Sequence, residues 1–176
     1  MLDHIAVRSD IRAHDAPAEY TSSFRANAAC ARELARLYDE IAASLDDARV
    51  PADSKVDDEP VVRRSPARCL VQLGPVALTV AWLQRAQGTV ADGELLVVVW
   101  RGEVGVRTPQ GFERAHQHSG ASSATALWET VLVVSAQSET QWGWAPAGGS
   151  GEALSSAALA RRCVERLCAA HAECAA

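Results

Sequence analysis

"RCLVQLGPVALTVAWL", residues 68 to 83, is where the chain changes its period. Before Arg68, apolar residues recur at three- and four-residue steps; after it they crowd into short runs of Val, Leu and Trp broken by turn residues. Gly74-Pro75 divides the stretch into two strands. The same pattern continues downstream. "AQGTVADG" (86 to 93) leads into "GELLVVVWRGEVGVR" (93 to 107), and "TALWETVLVVSAQ" (125 to 137) follows. "TPQG" (108 to 111) suits a type I turn and predicts a hairpin between "EVGVR" and "GFERAH". A last short strand runs from Thr140 to Trp144, after a tight turn near Ser138.

No helical pattern interrupts these strands, so nothing supplies the crossovers that a parallel sheet requires. Working outward, residues 16–47 read as one long helix whose stripe is Tyr20, Phe24, Ala28, Ala31, Leu34, Ala35, Tyr38, Ile41, Ala42 and Leu45. "DDARVPADSKVDDEP" (46 to 60) is rich in acids and proline, and residues 48–67 read as an exposed acidic loop. Residues 151–172 read as a second helix with Leu159, Ala160, Cys163, Val164, Leu167, Ala170, His171 and Cys174 on one face. Residues 1–15 fit a short strand, an extended arm or disorder equally well. The expected fold is therefore α+β and two-layer. It is a single domain, 1–176, with both helices packed on one face of a five- to six-stranded, mostly antiparallel meander sheet over 68–145.

A sheet with one wet face should alternate apolar and polar residues, yet "LLVVVW" (95 to 100) does not. Two helices cover one face. The other face calls for a further cover: the N-terminal arm, the long loops, a second copy or a partner. Trp142 and Trp144 bear on this question. A two-residue turn at Ser138-Glu139 sets them on the face of Leu127, Glu129 and Val131, whereas a one-residue slip moves them to the opposite face.

A chain of 176 residues with net charge −5 has room for a full core and lacks the concentrated basic face that phosphate backbones need. Nucleic acid is not the expected partner. Lys55 is the single lysine among 17 basic residues, a bias that reads as coding background rather than phosphate recognition. The N-terminus lacks a signal-peptide pattern and no window has the apolar length of a membrane span, so free thiols in the cytoplasm are the expectation.

Motifs are sparse. His116 and His118, at i and i+2 of a strand, could hold a metal with Glu129, although they lead into the loop-like "SGASS". Cys168 or Cys174 with His171 could supply half a site, but Cys163 and Cys174 lie mid-stripe like buried thiols. The acids of 46–60 lack the spacing of a calcium loop. "APAGGSGE" has neither the lysine of a phosphate loop nor a dinucleotide fingerprint, so no cofactor is expected. No nucleophile elbow is present. The expected function is a small non-catalytic interaction module, of adaptor, escort or inhibitor type, binding another protein or a second copy through an apolar sheet face. Trp128, Trp142 and Trp144 would be its anchors and Glu129 its rim. The alternative is a pocket between helices and sheet that takes a small molecule or a metal.

Overall fold

The computed structural model describes residues 16–48, 59–84, 88–102, 104, 124–136, 141–148 and 151–175. Its elements are α1 (Ala16–Ala48), β1 (Val61–Ser65), β2 (Arg68–Leu73), β3 (Val76–Leu83), β4 (Glu94–Arg101), β5 (Thr125–Ala136), β6 (Trp142–Pro146) and α2 (Ser156–Ala175). A single 3-10 turn, Val90–Asp92, lies between β3 and β4. The strands form one six-stranded antiparallel sheet in sequence order, a pure meander. The α+β two-layer expectation holds.

Strand burial follows the composition. Every residue of β3 from Val76 to Trp82 is buried, as is β4 from Leu95 to Val99. On the helix side Cys69, Val71, Val76, Leu78, Val80, Leu95, Val97 and Val99 meet α1 and α2 in one cluster. The opposite side of β2–β4 carries Leu70, Ala77, Thr79, Ala81, Leu96 and Val98, none more than 8% exposed. Trp100 stands among them and donates its Nε1–H to Thr79 Oγ1 at 3.2 Å. Toward β5 this far side opens: the β4–β5 register slips between Val99 and Trp100, Leu127 is the extra residue, and it is 39% exposed.

Three features depart from expectation, and a fourth decides between two open alternatives. Residues 61–65, expected inside the acidic loop, are the edge strand β1; "VVRRS" lacks alternation and every residue is exposed, so no inward face marked it. The second helix starts at Ser156 rather than Gly151, because Ser155 caps it by accepting the Ala158 N–H at 3.1 Å. The inward stripe of α1 keeps the expected Leu34, Tyr38, Ile41 and Leu45 but differs at its other positions. Cys30 and Leu37 are buried, while Phe24 is 70% exposed and Ala31 and Ala35 lie on the surface. A bulky leucine gains more from burial than an alanine, and that decides the facing. The fourth is the β5–β6 register, where the sequence left two pairings open: Ala136 pairs with Trp142 and Val134 with Trp144. Serine-glutamate is a poor two-residue turn, so the slipped pairing is the one adopted. The hairpin expected around 108–111 lies outside the described residues.

Candidate functional site: the edges of the sheet

The slip in register decides the fate of the tryptophans. Trp144 turns to the helix side and is fully buried. Its ring meets Trp82 edge-on, centroids 6.0 Å apart and planes at 67°. Its indole N–H donates to Ser156 Oγ at 3.0 Å, and that hydroxyl donates to Glu33 Oε2 at 2.7 Å. Trp144 thus ties β6, α2 and α1 together and has no surface to offer a partner. Trp142 is half-buried on the same side. Trp128 is also half-buried on the helix side, with the Arg166 guanidinium 5.9 Å from its ring centroid. Glu129 is exposed and points to the far side. The four expected interface residues therefore do not share one surface. His116 and His118 lie outside the described residues.

Burial holds four of the five thiols in the protonated form. All five cysteines are free. Burial pushes the Cys30 thiol up to about 11 and the Cys163 thiol up to about 12, and it raises Cys69 and Cys168 as well. A poised nucleophile needs the reverse shift. Among the described residues no group of three or more metal-ligating side chains converges. The concave surfaces are shallow; one lies on the outer side of α2 between Ala158 and Ala169, lined by Arg161, Arg162, Glu165 and Arg166. Among the described residues no helix is long and apolar enough to cross a membrane.

The two sheet edges differ sharply. At β6 the chain covers its own edge: Trp144 N–H donates to Leu154 O and Leu154 N–H to Trp144 O, each at 2.8 Å. Gly143 makes the approach possible, since a Cβ there would stand 2.8 Å from Leu154 O. At β1 no described strand lies on the outer side. Val61 is 50% exposed and Val62 37%, two of the large apolar residues left in water. Arg64 is held by Asp39 of α1 at 2.9 Å, whereas Arg63 has no ion-pair partner among the described residues.

Sequence reasoning missed this edge because it sought an apolar face. The available signal was the β-branched pair Val61-Val62 bracketed by Pro60 and Pro66, since proline is admitted at strand starts and turns. No family, curated protein or solved structure matches the chain.

Proposed function

We propose that the chain is a non-catalytic protein-interaction module that works by strand addition at the open edge of its sheet. The observation that carries this reading is the asymmetry of the edges: the chain covers β6 itself, while among the described residues no strand lies outside β1 and Val61 and Val62 are in water. Natural sheets usually blunt such an edge or use it. The far sheet face is a weaker candidate, because its residues in β2–β4 are already out of water within one chain. Raised thiol pKa values and the lack of a converging metal-ligand group among the described residues also support binding over catalysis.

The test is a panel of short extended peptides of net negative, zero and positive charge, together with dilution of the protein alone. Ser65 and Arg68 close a two-residue turn as a bonded pair, so by alternation the N–H groups of Val62 and Arg64 face away from β2. Strand addition predicts either self-association or peptide binding, with slowed amide exchange at these two residues in the associated form. If neither association nor binding occurs, the reading fails. The acidic peptide should bind best, since Arg63 faces the incoming strand without a carboxylate of its own among the described residues.

A further inference from the structure

We propose that the outer side of α2 is a second docking surface, separate from the β1 edge, and that it takes an acidic helical segment of a partner protein.

The pattern of α2 builds this surface. Leu159, Cys163, Val164 and Leu167 are buried in the core, so Arg161, Arg162, Glu165 and Arg166 fall outward and are all exposed. Ala158 and Ala169 stand at either end of the same side, and the six residues line a shallow concavity. From 158 to 169 it runs about 16 Å along the helix axis. Three guanidinium groups against one carboxylate leave it with a positive surplus, in a chain whose net charge is −5.

These cations are not neutralised within the chain. Among the described residues no carboxylate lies within ion-pair distance of Arg161, Arg162 or Arg166. Glu165 is one turn from Arg161 and does not pair with it. Arg162 and Arg166 are also one turn apart, and like charges at i and i+4 repel. Arg166 is pinned nonetheless, its guanidinium 5.9 Å from the ring centroid of Trp128. The helix would be more stable without this pair, and a carboxylate from outside turns the repulsion into attraction.

Charge and shape select the occupant. A free small anion fits poorly, because sites for small ligands enclose most of the ligand and this one is shallow. A nucleic-acid backbone presents phosphates in a continuous run, and Glu165 stands among the cations against such a run. An anionic bilayer needs bulky apolar anchors, where this side has alanines. A second α2 brings the same positive surplus. A helix with glutamates one turn apart and a lysine between them matches Arg162, Glu165 and Arg166 in turn, and Ala158 and Ala169 let it approach closely.

The experiment titrates an alanine-based helical peptide of about 15 residues with that Glu-Lys-Glu pattern into the full chain at low salt, followed by anisotropy, beside a charge-reversed control. The wild type should bind the first peptide and not the second, and added salt should weaken the complex. Arg162→Gln with Arg166→Gln should weaken binding at least about tenfold. Should the double variant misfold, Arg162→Gln alone decides, because that side chain is exposed and outside the Trp128 contact; it should weaken binding about threefold or more without lowering the melting temperature. A helix satisfies its own backbone and cannot add to a sheet edge, so amide exchange at Val62 and Arg64 should not change when this peptide binds. No binding of the acidic helix overturns the proposal, as does equal binding of the control peptide or by the variants. Tighter binding of a short oligonucleotide or of phosphatidylserine vesicles overturns it too. None of these failures touches strand addition, which the extended peptides test.

Discussion

Trp144 looks like an interface anchor in the sequence and is the residue most enclosed by its own chain. Its ring packs on Trp82, and its N–H opens a chain of hydrogen bonds through Ser156 to Glu33. Trp144→Ala should cost about 3–5 kcal/mol in denaturant unfolding. Ser156→Ala should cost about 1–3 kcal/mol, because it leaves a buried indole N–H without an acceptor. The sequence could not reveal this, since the facing of Trp144 turns on a one-residue register choice that no local pattern settles. The thiols give a second prediction at this scale. Cys30 and Cys163 titrate higher in the folded chain than in the unfolded one, whose thiols ionise near pH 9. Between that pH and about 11 to 12 the unfolded chain loses protons that the native chain keeps, so stability should fall as pH rises through this window and stay flat below it. Thermal melts from neutral to strongly alkaline pH check the sign.

At the scale of elements, the strands of the meander were legible because runs such as "VALTVAWL" and "LLVVVW" are bounded by glycine, proline and aspartate. The helices were legible from their period, and so were Leu34, Tyr38, Ile41 and Leu45 of the facing of α1, while Ala31 and Ala35 were misplaced because alanines fit either side of a stripe. The structure makes that facing testable. Leu37→Ala should cost about 2–5 kcal/mol, whereas Ala35→Ser, on the surface, should cost less than about 0.5 kcal/mol. Edge strand β1 was not legible, because five exposed residues without alternation resemble a loop until their partner strand is known. The covered edge has a handle as well. Gly143→Ala would push a methyl group into Leu154 O, so it should destabilise the protein and speed amide exchange at Trp144 and Leu154 together, while exchange in β1 stays unchanged.

At the scale of the molecule, the described residues of the two layers leave the rim as the part of the sheet best placed for binding. The helices take one face of the sheet, and the centre of the other is withdrawn from water in the single chain. A meander leaves its first and last strands at the edges. Here the last is covered by residues that lead into α2, and the first has no strand on its outer side among the described residues. The fold class, its antiparallel order and the apolar character of both sheet faces could be read from the sequence. The working surface could not, because an edge is a property of strand order rather than of any stretch of residues. The most direct measurement is backbone amide exchange at Val62 and Arg64 followed by NMR as the protein is diluted, with Val71 of β2 as an internal reference. If the edge left open among the described residues is the working surface, protection at Val62 and Arg64 rises with concentration or with added acidic peptide while Val71 stays protected throughout. Rapid exchange at both positions at every concentration, in a protein that nonetheless associates, would place the interface elsewhere and contradict the account.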